Sequence, residues 1–132
     1  MDVATRNLVR ERAKDCCEYC RLPARADPYA TFHIEHIIAR QHGGDDDPAN
    51  LAWACSRCNL RKGTNLSSRD PQSDKTVELF DPRRHAWQEH FALRGARIVG
   101  LSETGRATVR LLDMNDIRRI GLRRELIVQG DL

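Results

Sequence analysis

Two Cys-x2-Cys pairs constrain this chain more than any other feature. Cys17 and Cys20 form one pair, Cys55 and Cys58 the other, with 34 residues between them. A two-residue gap lets one turn of backbone aim both thiolates at a single ion. Two such knuckles complete a closed, four-cysteine zinc site of the structural kind. The competing readings are four unrelated buried cysteines, or redox pairs. No βαβ pattern of the thioredoxin type surrounds either pair. Cys16 lacks the two-residue gap to Cys20 and reads as a small buried hydrophobe rather than a substitute for Cys17. Zinc also answers an energetic need. The 132 residues include only seven aromatics, so the core is lean, and metal binding contributes folding free energy directly.

Reduced thiols imply a reducing compartment. The stretch Met1–Arg12 has no apolar core of the kind a secretory leader needs, and no run of 18 apolar residues exists. The expectation is a cytoplasmic protein with no membrane partner. The length fits one domain, or one small domain with an added lobe, and excludes a TIM barrel.

The pattern predicts a helix over 3–15 and a knuckle and loop over 16–31. Short strands follow at 32–38 and 50–55, joined by a turn rich in Gly and Asp, and a helix starts after Cys55. Residues 67–80 read as a polar connector on the surface. Trp87–Leu93 and Ala96–Leu101 flank Arg94-Gly95 and suggest a hairpin. Thr104 is a candidate cap for a helix over 105–114. Asp116 is a candidate cap for a last helix, with an imperfect apolar stripe of Ile117, Ile120, Leu126 and Ile127.

Chemistry concentrates between the knuckles. The run Phe32-His33-Ile34-Glu35-His36-Ile37-Ile38 and the later Asn50 and Asn59 gather a carboxylate, imidazoles and two carboxamides around one hairpin. Carboxylate and carboxamide oxygens are hard ligands, suited to Mg2+ or Mn2+. A neutral imidazole works as a general base near pH 7. Arg57, Arg61 and Lys62 supply cations for phosphate. These are the parts of a phosphodiester hydrolase.

The run from Cys17 to Gly63 resembles the HNH endonucleases, the ββα-metal fold with accessory zinc knuckles. The resemblance rests on Cys17-x2-Cys20, Glu35-His36, Gly43-Gly44, Asn50-Leu51 and Cys55-x2-Cys58-Asn59-x2-Lys62-Gly63. It implies an α+β fold, with an HNH core at 1–66, the connector at 67–80 and an accessory lobe at 81–132 packed on the core. It implies that His36 is the general base and that Glu35 and Asn59 bind the catalytic divalent ion. Asn50 would hold the loop and the base in orientation. The implied activity is DNA endonuclease, leaving 5′-phosphate and 3′-hydroxyl ends, with double-stranded DNA as partner.

Two features complicate this picture. The best-known members carry Asp where Glu35 stands. An ideal strand also turns Glu35 and His36 to opposite faces. His33 shares the Glu35 face and reads equally as an accessory ligand or as a structural histidine. The alternative function is a zinc module that binds nucleic acid without cutting it.

The tail less specifically resembles that of small bacterial HNH proteins, through Pro82-Arg83-Arg84-His85-Ala86-Trp87 and Gly105-Arg106-Ala107-Thr108-Val109. His85 and His90 read as structural, and Trp53 and Trp87 as core. The net charge of +3 lies entirely in residues 81–132, which hold ten basic and seven acidic residues, while residues 1–80 hold twelve of each. Either the lobe's arginines dock DNA or they form a solvated surface over a packing lobe. Oligomeric state is not legible in the sequence.

Overall fold

The computed structural model describes residues 1–132. Helix α1 spans Val3–Arg12 and starts at Asp2, whose carboxylate accepts from Thr5 N–H at 2.7 Å. It ends three residues earlier than the apolar spacing suggests, because Lys14 and Asp15 take positive φ. Arginine chemistry ties the helix to the rest. Arg12 donates to the carbonyls of Pro48 and Leu51, and Arg6 lies over the Trp53 ring at 4.9 Å.

Strands β1 (Phe32–His36) and β2 (Leu51–Cys55) pair antiparallel, with Phe32 opposite Cys55 and His36 opposite Leu51. Every residue of β2 is buried, so this hairpin forms the floor of the core. Helix α2 (Ser56–Lys62) follows without a linker, its first turn capped by Cys55 itself. These three elements make the expected ββα unit. The fold as a whole is α+β, with three two-stranded sheets and five helices.

The polar residues after α2 fold into a small hairpin of β3 (Ser67–Arg69) and β4 (Thr76–Glu78). Asp70, in its turn, is fully buried. It accepts from Arg106 Nε and Nη2 at 2.9 and 2.8 Å and from the backbone N–H groups of Gln72 and Ser73. Polarity in this stretch marks a tied-down turn.

Trp87–His90 form a single helical turn, α3, before the strands β5 (Phe91–Arg94) and β6 (Arg97–Gly100). The first strand thus starts four residues later than alternation predicts. Trp87 is anchored by its indole N–H to the Tyr19 carbonyl at 2.8 Å and packs against Phe91. Helix α4 (Glu103–Leu111) is capped by Ser102 rather than Thr104. The Thr104 hydroxyl instead donates to the Glu78 carbonyl, stapling α4 to β4. Gly105 permits the close approach of α4, since a Cβ there would lie 2.0 Å from the His90 carbonyl oxygen.

Helix α5 (Ile117–Val128) is capped by Asp116 as the sequence indicates. Its buried face differs from the expected stripe. Ile117 and Ile127 are exposed, and the residues turned inward are Arg119, Arg123 and Leu126. The apolar pattern is imperfect because two buried positions are cationic.

One apolar cluster of twenty buried residues runs through both halves of the chain. Phe80, Trp87, Phe91 and Ile98 pack in it with Val9, Tyr19, Trp53 and the knuckle cysteines. The His85 and His90 rings pack against Phe80 at 5.9 Å, His85 tilted and His90 edge-on.

Arg106 holds the Asp70 carboxyl well below the usual carboxylate range. Its stabilising contribution is therefore complete above about pH 3.9, the value of an unfolded aspartate, and is lost as the pH falls through the depressed native value. Asp70→Asn is expected to lower Tm at pH 7. The gap from wild type should narrow as the pH is lowered below about 4, which thermal unfolding across pH 3–7 would check.

Candidate metal centre and catalytic hairpin

The four knuckle thiols converge. The Sγ atoms of Cys17, Cys20, Cys55 and Cys58 all lie within 4.8 Å of one another, and all four residues are buried. Cys20 and Cys55 Sγ are 3.7 Å apart. Tetrahedral thiolates about 2.3 Å from a zinc ion stand roughly 3.8 Å apart, so the donors fit zinc in kind and in spacing. The backbone N–H of Cys20 points at Cys17 Sγ and that of Cys58 at Cys55 Sγ, both at 3.4 Å. Such N–H groups soften the charge that thiolates bring. Cys16 stays outside, half-buried, with its thiol on the Lys14 carbonyl.

The hairpin above the knuckles separates its two named residues as a pleat requires. Glu35 points inward and is 3% exposed. Lys62 Nζ donates to its Oε1 and the Tyr19 hydroxyl to its Oε2, each at 2.6 Å. Lys62, itself 2% exposed, also donates to the Ile37 carbonyl at 2.9 Å. Burial pushes the Glu35 carboxyl up, against the opposing pull of Lys62 and Tyr19. Both carboxylate oxygens are engaged, and an ammonium sits where a cation would have to approach. The expected ion on Glu35 and Asn59 does not fit this arrangement. Lys62, expected on phosphate, is correspondingly a core residue.

His36 turns the other way. Its Nε2 lies 2.7 Å from Asp46 Oδ1, and Arg40 Nη2 braces both Asp46 oxygens at 2.9 and 3.0 Å. Hydrogen bonds from His36 and Arg40 hold the Asp46 carboxyl below its ordinary value. An ionised carboxylate has no proton to give, so Nε2–H is the donor. In the neutral ring, Nδ1 then carries the lone pair.

Asn50 organises the loop between the strands. Its side-chain amide donates to the carbonyls of Ile38 and Asp45, and its oxygen accepts from Ile38 N–H, all within 3.0 Å. Gly44 passes so close that a Cβ would overlap the Ile38 carbonyl oxygen at 1.7 Å, which leaves no alternative to glycine there.

Asn59 is half-buried on α2, and His33 is half-buried on β1. Arg57 pairs with Asp113 at 3.0 Å, and Arg61 Nε donates to the Leu111 carbonyl. Two of the three phosphate contacts expected on α2, Arg57 and Arg61, therefore lean on the C-terminal lobe. Sequence reasoning did not single out Asp46, Arg40 or Tyr19. Asp46 sits in an Asp-rich run that reads as turn chemistry, and Tyr19 sits between the first two ligand cysteines.

Two knuckles, an antiparallel hairpin and a helix entered directly at Cys55 define the unit, and residues 17–65 match the family model for HNH endonuclease. These residues form an HNH endonuclease domain. Beyond the domain, the chain is 29% identical over 124 residues to the Septu protein PtuB of Bacillus thuringiensis. That alignment covers 89% of this chain and 43% of the relative, so the chain spans less than half the relative's length. No solved structure gives a significant match. No helix is long and apolar enough to cross a membrane.

The Glu35–Lys62 pair generates a stability prediction. Lys62→Met strands a buried carboxylate and should cost about 3–5 kcal/mol in urea unfolding. Adding Glu35→Gln, which keeps an acceptor for Tyr19, should recover most of that loss.

Proposed function

We propose that the chain is an HNH-type endonuclease that hydrolyses phosphodiester bonds in DNA, with His36 as general base. The observation that carries this reading is the His36–Asp46 pair at 2.7 Å, set in a loop stapled by Asn50. Asp46 fixes the ring and its tautomer, and Nδ1 is free to take a proton from water. That water attacks phosphorus in line, the P–O3′ bond of the DNA breaks, and the departing oxygen takes a proton from solvent, leaving a 5′-phosphate and a 3′-hydroxyl. The developing imidazolium is stabilised by Asp46, as a carboxylate stabilises a catalytic histidine elsewhere.

The four cysteines are read as the seat of a structural Zn2+. In this role the ion holds the knuckles and takes no part in the reaction. A catalytic Mg2+ or Mn2+ would supply Lewis-acid help to the phosphate. Glu35 would have to leave Lys62 to join it, so no step is assigned to that ion.

A non-catalytic zinc module that binds nucleic acid is the second reading. It is favoured by the same withdrawal of Glu35 into its pair with Lys62.

A plasmid-nicking assay with Mg2+ or Mn2+ and a chelator control separates the two. His36→Ala should reduce nicking by about 10²–10⁴-fold while zinc content and Tm stay unchanged. Asp46→Asn should reduce turnover by roughly 10²-fold with little change in DNA affinity. Nicking by His36→Ala at the wild-type rate would sink the catalytic reading.

A further inference from the structure

An arginine on α5, outside the HNH domain, touches the thiol cluster. Arg119 is 2% exposed, and its Nη1 lies 2.9 Å from Cys58 Sγ and 3.7 Å from Cys55 Sγ. Its Nη2 donates to the Leu112 and Asp113 carbonyls at 2.6 and 2.5 Å, and its Nε to Asp116 at 2.5 Å. A guanidinium has five N–H groups, and this set of contacts uses the whole fork. One turn on, Arg123 is 1% exposed, held by the carbonyls of Ala96 and Met114.

Electrostatics says why a helix would turn two arginines into a core. Four thiolates around one Zn2+ carry a net charge of −2. A buried charge of that size is costly unless it is paired and hydrogen-bonded. Lys62, the buried cation at the end of α2, is already committed to Glu35. Arg119 is the cation that touches the sulfurs. The dependence runs both ways. Arg119 has Asp116 as its one carboxylate partner, and the sulfurs of Cys55 and Cys58 are what its Nη1 faces, so displacing them leaves a buried guanidinium short of partners.

We propose that Arg119 is a positioning residue of the zinc site, and that α5 is a lid whose docking is linked to metal loading through this contact. The proposal rests on reading the four cysteines as a zinc site, and is independent of whether the hairpin cuts DNA. The metal centre then extends well past residue 65, and the C-terminal lobe is one of its walls. The Leu112 and Asp113 carbonyls that accept from Arg119 lie just past α4, beside the Leu111 carbonyl that accepts from Arg61, and Asp113 also pairs with Arg57 through its side chain. One guanidinium therefore joins the metal site, α4 and α5.

The test measures zinc directly. Zinc stoichiometry of the purified full chain is determined first, followed by the rate of zinc transfer to a chromogenic chelator. Wild type, Arg119→Met and Arg119→Lys are compared. Methionine keeps most of the apolar volume and removes the charge. Lysine keeps the charge and loses the fork. Zinc should leave Arg119→Met about 10–100-fold faster than wild type, with Arg119→Lys between them. Amide exchange in residues 117–128 should rise in the metal-stripped wild type more than exchange in the β5–β6 hairpin.

Wild-type release rates in Arg119→Met would overturn the proposal, as would a wild-type chain purified without zinc. If Arg119→Met does not fold, Arg119→Lys decides: faster release supports the contact, and an unchanged rate overturns it. Absence of nicking by the zinc-loaded wild type, with faster zinc release in Arg119→Met, would count against the nuclease reading and leave this contact intact.

Discussion

The convergence of Cys17, Cys20, Cys55 and Cys58 is the constraint on which the other elements depend. The first pair sits in a loop with no regular structure, and the second sits at the junction of β2 and α2. Bringing them together fixes where the hairpin starts, because Cys55 is the last residue of β2 and the cap of α2. It also places Tyr19, between the first two ligands, against the inward face of β1, where its hydroxyl meets Glu35. A structural zinc ion contributes on the order of 10–16 kcal/mol in small metal-folded domains. That compares with the 5–15 kcal/mol net stability of an entire ordinary domain. A chain with seven aromatics can build its core around such a site.

The pleat of β1 then divides the labour between neighbouring residues. Glu35 and His36 are adjacent in sequence and cannot share a face of an extended strand. The inward residue becomes part of a buried Glu–Lys–Tyr network. The outward one meets the loop, where Asp46 and Arg40 orient it. Glutamate, one methylene longer than aspartate, is able to reach across to Lys62 and Tyr19 simultaneously.

Much of this was legible in the sequence, and the parts that were not have identifiable causes. The knuckles, the hairpin over 32–55 and the helix after Cys55 follow from spacing, turn residues and alternation, which are local signals. Asn50 was singled out through the resemblance, and the structure adds the three hydrogen bonds it makes. Lys62 read as a solvent-facing cation because a lysine at the last position of a helix ordinarily reaches solvent. Nothing local records that Glu35 waits below it. The polar stretch after α2 looked like a connector because the partner of Asp70 is Arg106, thirty-six residues away. Long-range ion pairs leave no periodicity, so local pattern reading treats their members as surface.

The same blindness explains why total charge says so little about this molecule. A net of +3 on 22 basic and 19 acidic residues suggests a nearly balanced surface. Several of those charges are interior. Glu18, Glu35, Asp70, Lys62, Arg119 and Arg123 are all buried, each facing an opposite charge, a backbone carbonyl or a thiolate. Arginine suits this work better than lysine, since its planar fork satisfies several carbonyls and sulfurs from one position and its charge survives desolvation. The bias of 19 Arg to 3 Lys is therefore partly a property of the core. The apolar stripe on α5 is imperfect because Arg119 and Arg123 share its buried face, where Arg119 meets the cysteine cluster and Arg123 the carbonyls of Ala96 and Met114.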